Sequence, residues 1–160
     1  MDYRLRVATP ADDGRQLAIY ASTRADELAL TGWPAEQCEA FVRQQHGAQQ
    51  QHYARHFPRS VCQLIVVNGE DVAGRLWLDE RGDRLHILDI ALLPAWRGQG
   101  LGTRCLRALA EGGRRLSIQV ETHNPARRLY ERLGFVPEGE PQGLYQAMLR
   151  PALQPEECLP

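Results

Sequence analysis

The chain has 160 residues, of which 43% are apolar and 24% charged, with a formal net charge of −1. That length supports one sizeable core, and the balanced charge gives no bulk attraction to nucleic acid or to an acidic membrane. Every basic residue is Arg; without Lys the chain has no Schiff-base amine and no P-loop lysine.

The four cysteines (Cys38, Cys62, Cys105, Cys158) are scattered with no CxxC or Cys/His ligand spacing, so neither a metal nor a disulfide framework is expected. No stretch is long and apolar enough to span a bilayer, and Met1-Asp2-Tyr3-Arg4 lacks the basic-then-apolar pattern of an export signal. The expectation is a cytoplasmic domain with no membrane partner.

Tyr3, Leu5 and Val7 alternate with arginines and predict a short strand. Thr9-Pro10-Ala11-Asp12 is a helix start, with Thr at the cap and Pro at the first helical position. The helix that follows should reach about residue 30 and stop at Thr31-Gly32. Pro34-Ala35-Glu36 opens a second helix expected to run to Phe57, before Pro58.

From residue 61 the period changes. Val61 to Val67 is β-branched, Asn68-Gly69 is a two-residue hairpin turn, and Val72 to Leu78 returns with Gly74 as a bulge position. Leu85 to Leu93 predicts a long apolar strand. Leu101 to Ala110 predicts a helix closed by Gly112-Gly113, and Leu116 to Val120 a strand. A last helix over 124–133 ends at Gly134, and Phe135-Val136 and Leu144 to Leu149 read as strands. The order is β-αα-βββ-α-β-α-ββ. It predicts an α/β (α+β) single domain over residues 1–150, a mixed, mostly antiparallel sheet with helices on both faces, and a Pro-rich acidic tail from 151 to 160.

The segment Leu88 to Gly102 carries the chemistry. A strand runs into a turn holding Gly98, Gly100 and Gly102, and the turn opens directly into a helix. Glycines allow close backbone approach, and a helix start presents unpaired N–H groups and the positive end of its dipole, a geometry that suits phosphate oxygens. Arg97 adds a permanent charge. The spacing is Gly-x-Gly-x-Gly, which is neither a P-loop nor a Gly-x-Gly-x-x-Gly dinucleotide turn.

A second stretch, Asn124-Pro125-Ala126-Arg127-Arg128-Leu129-Tyr130-Glu131-Arg132-Leu133-Gly134-Phe135, completes the pattern. With it the chain resembles the GCN5-related N-acetyltransferase (GNAT) family. Arg97 to Gly102 is similar to that family's Arg/Gln-x-x-Gly-x-Gly/Ala pyrophosphate loop, and Asn124 to Phe135 to its second signature, with a one-residue contraction between Asn124 and Tyr130. Val7 to Asp12 is similar to its common opening.

The resemblance implies acetyl-CoA as cofactor. Arg97, Gly98, Gln99, Gly100, Leu101, Gly102 and Thr103 would take the pyrophosphate. Ile90, Ala91 and Leu92 would pair with the pantetheine arm, and Asn124, Arg127 and Tyr130 would line its exit. The backbone N–H near Leu92 would face the oxyanion, and Tyr130 would be the general acid, since a phenol with an ordinary pKa of about 10 holds its proton at neutral pH.

The base is open. Many relatives carry a Glu at a position that aligns with Leu88. His86 and Glu121 are the candidates in its place, with a water chain as a third route, while Asp89 is expected to hydrogen-bond within the fold. No Cys falls in either motif, so a direct ternary-complex attack is expected.

The acceptor side is expected from the first two helices. The apolar face of the second helix turns polar along its length, so Gln49, Tyr53 and His56, with Trp33 near the preceding turn, are candidate acceptor residues. Arg24 and Glu27 sit near the same turn. The function expected is transfer of acetyl from acetyl-CoA to a primary amine of a small molecule, an amino acid or metabolite, by an enzyme that could be a homodimer. The alternatives are a non-catalytic acyl-CoA-binding domain and a peptide N-terminal acetyltransferase.

Overall fold

The structure is a computed structural model that describes residues 2–152. Cys158 and most of the tail expected over 151–160 lie outside the described residues.

Seven strands and four α-helices follow in the predicted order: β1 (Tyr3–Val7), α1 (Asp13–Ala29), α2 (Ala35–His56), β2 (Val61–Val67), β3 (Asp71–Glu80), β4 (Arg84–Leu92), α3 (Leu101–Glu111), β5 (Arg115–Glu121), α4 (Arg127–Arg132), β6 (Val136–Pro137) and β7 (Tyr145–Arg150). The sheet order is β1-β2-β3-β4-β5-β7-β6. Contacts divide the chain into two compact units. The first is the chain to Trp77 with Asp89–Arg97, and the second is Leu78–Leu88 with the chain from Gly98.

In the first unit β1 pairs antiparallel with β2, Tyr3 opposite Val67 and Val7 opposite Gln63. The chain reverses after β1 through a single 3₁₀ turn, Pro10–Asp12. Asp12 fixes that reversal. Its buried carboxylate accepts from both terminal nitrogens of Arg6 at 2.9 and 3.0 Å, from Arg15 at 3.2 Å and from the Thr9 N–H at 2.9 Å. The Arg6 hydrogen bonds, chiefly, hold Asp12 well below the usual carboxylate range.

The Asn68-Gly69 turn that joins β2 to β3 has φ of +50° and +90°, the left-handed pair a two-residue hairpin requires. Ile19 of α1 packs with Leu64, Val66 and Ala91 in the buried core, flanked by Ala8, Val72 and Leu93.

In the second unit β5 pairs parallel with β4 and antiparallel with β7. Leu101, Cys105, Leu106 and Ala110 put one face of α3 into the interior, and Leu116, Ile118, Val120, Phe135 and Met148 are buried with them. α4 is shorter than the 124–133 predicted. Pro125 disfavours helical geometry at the residue before it, so Asn124 stays outside and its Oδ1 accepts the Ala126 N–H at 2.9 Å.

Candidate functional site

The last residues of β4 are shaped by β3. Gly74 of β3 sits so close to β4 that a Cβ placed on it would lie 2.1 Å from the Ala91 carbonyl oxygen and 2.9 Å from Leu92 Cδ2. The Ala91 carbonyl therefore points toward β3. In a planar trans peptide the following N–H, that of Leu92, points the opposite way, off the other edge of the strand. The next peptide is pinned on both sides: the Leu93 N–H donates to Ala73 O at 2.8 Å, and Arg97 Nε donates to Leu92 O at 2.8 Å. Ile90, Ala91 and Leu92 thus sit on a rigid strand end.

Arg97 is placed differently from the sequence expectation. Its guanidinium turns back onto β4 and α1, with Nη2 3.3 Å from both the Ser22 carbonyl and the Ser22 hydroxyl. Through Nε and Nη2 it clasps the strand end to α1, while the residue stays exposed next to Gly98.

The loop itself is built for an anion. Gly98 and Gly100 have φ of +73° and +80°, and nothing lies within 4 Å of a Cβ placed on either. The space in front of both is open, and it is the left-handed backbone that calls for glycine there. Gly100 caps α3, and the first intrahelical bond runs from the Arg104 N–H to Gly100 O at 3.0 Å. The amides of Leu101, Gly102 and Thr103 precede that bond and have no intrahelical acceptor. Exposed glycines, amides without intrahelical acceptors and the positive end of an eleven-residue helix suit a diphosphate. Among the described residues no group of three or more His, Cys, Asp or Glu gathers as metal ligands would.

The second motif gives a buried Tyr130 whose ring meets Phe135 edge-on, centroids 5.8 Å apart. Asn124 is exposed. Its Oδ1 is engaged in the turn, which leaves the side-chain amide as the group it can offer. Arg127 donates to Glu131 at 3.0 Å.

The two candidate bases differ. Glu121 is exposed at the end of β5. His86 is 8% exposed, and its Nδ1 lies 2.7 Å from Ser117 Oγ, its register partner across the parallel β4–β5 ladder. Burial, reinforced by the charge of Arg81, pushes its pKa down to about 4. Such an imidazole is neutral at pH 7, enclosed and weakly basic.

The sign of its effect on stability follows. Below the unfolded value of about 6.5 the unfolded chain takes a proton that the folded chain refuses, so stability is lost as pH falls from 6.5 toward 4. At pH 5 the loss is ~2 kcal/mol for this group. Denaturant unfolding at pH 7 and pH 5 should show it, and the His86→Gln variant should lose that part of the pH dependence.

The four acceptor candidates are not gathered into one pocket. α2 has 22 residues, a length of ~33 Å, so Trp33 and His56 stand at opposite ends of it. Trp33 packs edge-on against Phe41 at 5.5 Å and lines an apolar groove of about 550 Å³ between α1 and α2. His56 lies against His52 at 4.4 Å, and Tyr53 meets Trp77 at 4.8 Å.

Gln49 has a polar partner the sequence reading missed. Its Oε1 accepts from Arg75 Nη2 at 2.7 Å. Arg75 lies on β3, is wholly buried, and donates from Nε to Asp89 Oδ2 at 2.6 Å. The polar stripe of α2 is thus met from below by a buried guanidinium. A charged residue set inside the apolar run from Val72 to Leu78 was the available signal.

Known proteins place this architecture among acetyltransferase folds. Solved structures similar to the chain include the PaiA N-acetyltransferase of Thermoplasma acidophilum in complex with coenzyme A (TM-score 0.68, 14% identity, 94% of this chain and 99% of that one). An acetyltransferase from Thermus thermophilus has the same TM-score at 23% identity, over 94% of this chain and 97% of that one.

The family follows from the sequence match. The acetyltransferase (GNAT) family model matches residues 24–135, and the chain belongs to that family. Among named relatives, a Bacillus subtilis protein named as a candidate ribosomal protein bS18-alanine N-acetyltransferase is 38% identical over 88 residues. The match covers 51% of this chain and 58% of the relative. A mycothiol acetyltransferase of Corynebacterium efficiens is 37% identical over 79 residues, 45% of this chain and 27% of the relative. No helix among the described residues is long and apolar enough to cross a membrane.

Proposed function

We propose that the protein is an N-acetyltransferase that moves an acetyl group from acetyl-CoA to a primary amine by direct attack. The observation that carries this reading is the open glycine cradle at the start of α3, with positive φ at Gly98 and Gly100 and three amides left without intrahelical acceptors. Family membership and a structural neighbour solved with coenzyme A support it.

When bound, acetyl-CoA supplies an activated acetyl thioester. The chain supplies the rest. Amides from Gln99 to Thr103 hold the diphosphate, and the strand end at Ile90–Leu92 pairs with the pantetheine arm. The outward N–H of Leu92 donates to the acetyl oxygen as negative charge develops there. Tyr130 gives its hydroxyl proton to the departing sulfur. Glu121, the exposed member of the candidate pair, takes the amine proton through water, while His86 braces the β4–β5 ladder.

The acceptor is a small-molecule amine. The Bacillus relative's name favours a second reading, the amino terminus of a protein. Leu88, apolar where many relatives carry a carboxylate, favours a third, a domain that binds acyl-CoA without turnover.

Calorimetry with coenzyme A and thiol release across a panel of primary amines test the proposal together. Tight binding with turnover supports it; binding without turnover on any amine selects the third reading, and no binding ends the first. Gly100→Ala should raise the Kd for coenzyme A about tenfold, because restoring a left-handed backbone in a residue with a Cβ costs ~1–2 kcal/mol. An unchanged Kd removes the cradle from the binding site.

A further inference from the structure

A cavity between the start of α1 and the middle of α2 gathers polar groups that the fold leaves unused. Its volume is about 280 Å³, and its polar lining is Asp13 from α1 with Arg43, His46 and Gln50 from α2. The Asp13 carboxylate and the Gln50 side-chain amide make no hydrogen bond or ion pair with a described residue. Arg43 engages Glu39 through Nη2 alone, at 3.1 Å. Asp13 and Arg43 face the same space without pairing, so they stand further apart than charges in contact.

His46 is 5% exposed, and its Nε2 is buried without a hydrogen-bond partner. Its ring rests against Tyr20, centroids 5.5 Å apart. Burial, ahead of the charge of Arg75, lowers its pKa from the ordinary 6.5, so the ring is neutral at pH 7. Buried polar groups in folded proteins are nearly always satisfied. An unsatisfied imidazole beside an unpaired carboxylate and amide, all on one cavity, calls for a polar molecule from outside.

Two glycines line the same cavity from facing helices, Gly14 and Gly47. Neither has a positive φ, and nothing lies within 4 Å of a Cβ placed on either. Neither backbone conformation nor a close approach calls for glycine there. Gly47 lies well inside α2, where glycine weakens a helix relative to alanine. What the two positions share is the open space.

The cavity leads into the apolar groove between α1 and α2, since Gly14 and Leu17 line both. Past Leu17 the groove continues over Ala18, Ala21 and Val42. A chamber with a negative and a positive group set apart, opening on an apolar channel, matches a molecule with an ammonium, a carboxylate and an apolar body.

We propose that this cavity binds an α-amino acid with an apolar side chain. Its ammonium meets Asp13, and its carboxylate meets the part of the Arg43 fork that Glu39 leaves. His46 and Gln50 take remaining hydrogen bonds of the two head groups, and the side chain runs past Leu17 into the groove. No lining residue comes from β4 or from the glycine loop. The site is therefore separate from the one proposed for coenzyme A, and its binding needs no cofactor.

The test is calorimetry on the full chain without coenzyme A. Leucine is the probe. Isoamylamine lacks its carboxylate, isocaproate lacks its ammonium and glycine lacks its side chain, and each should bind at least tenfold more weakly than leucine. Asp13→Asn and Arg43→Gln alter exposed residues and should keep the wild-type melting temperature while raising the leucine Kd several-fold. Gly47→Leu, a better helix former that fills the space, should melt at or above wild type and lose leucine binding.

No heat with leucine overturns the proposal. Equal binding of isoamylamine or isocaproate overturns it too, because the paired charges are then not what is read. A leucine Kd unmoved in all three variants places the ligand elsewhere and overturns the assignment of this cavity. Coenzyme A binding and amine turnover, measured separately, decide the transferase reading whichever way these results fall.

Discussion

Replacing Gly74 with alanine is expected to lower the melting temperature by about 10 °C, from a loss of ~3 kcal/mol in a chain of this size, and to reduce turnover to near background. The reason is local. The added methyl would stand 2.1 Å from the Ala91 carbonyl oxygen, and the obstacle is backbone, which cannot rotate aside as a side-chain tip can. β4 must shift or the Ala91–Leu92 peptide must turn. Either movement redirects the Leu92 N–H, the proposed donor to the acetyl oxygen. Thermal unfolding and thiol-release assays check both halves. A Gly74→Ala protein with wild-type melting and wild-type kcat would show that β4 relaxes freely and that the Leu92 amide is not held by this approach.

Tyr130→Phe should separate chemistry from packing. The ring is buried against Phe135, and phenylalanine keeps that edge-on contact. What the substitution removes is the hydroxyl. If that hydroxyl protonates the departing sulfur, kcat falls by ~10²-fold or more, in the range general-acid groups contribute. The Kd for coenzyme A, set by main-chain amides of the glycine loop, stays where it was. An unchanged kcat takes Tyr130 out of the mechanism and leaves it as a core aromatic.

The features legible in the sequence are those decided within a few residues. Pro10 after Thr9, Asn68-Gly69 between two apolar runs, and glycines at a strand-to-helix junction each carry their geometry locally, and the structure places each of them so. The end of β4 was legible too, as the residues preceding the glycine turn.

What the sequence hid depends on contacts between distant segments. Arg75 joins α1, α2 and β4 at once, and its partners lie 14, 26 and 59 residues away along the chain. No periodicity reports such a pairing. The polar stripe of α2 was visible, but its partner was not, so Gln49 was read toward a ligand when its amide oxygen serves Arg75.

Arg97 shows the same limit in reverse. A charge beside glycines reads as a phosphate ligand, and spacing gives no sign that its Nε and Nη2 also tie Leu92 to Ser22. Solvent exposure, too, is invisible to spacing: His86 and Glu121 rank level on a strand diagram and differ only once burial is known.

The hairpin at Asn68-Gly69 bears on how the chain reaches this arrangement. Its two strands meet through two residues already biased to the required dihedrals, so that closure belongs to the microsecond events of folding. β1 reaches the same β2 only after the whole of α1 and α2 has been traversed, with Tyr3 opposite Val67. Closing so long a stretch is entropically slow. The amino-terminal strand should therefore be a late arrival, its amides gaining protection from hydrogen exchange after those of β2 and β3 and surrendering it first.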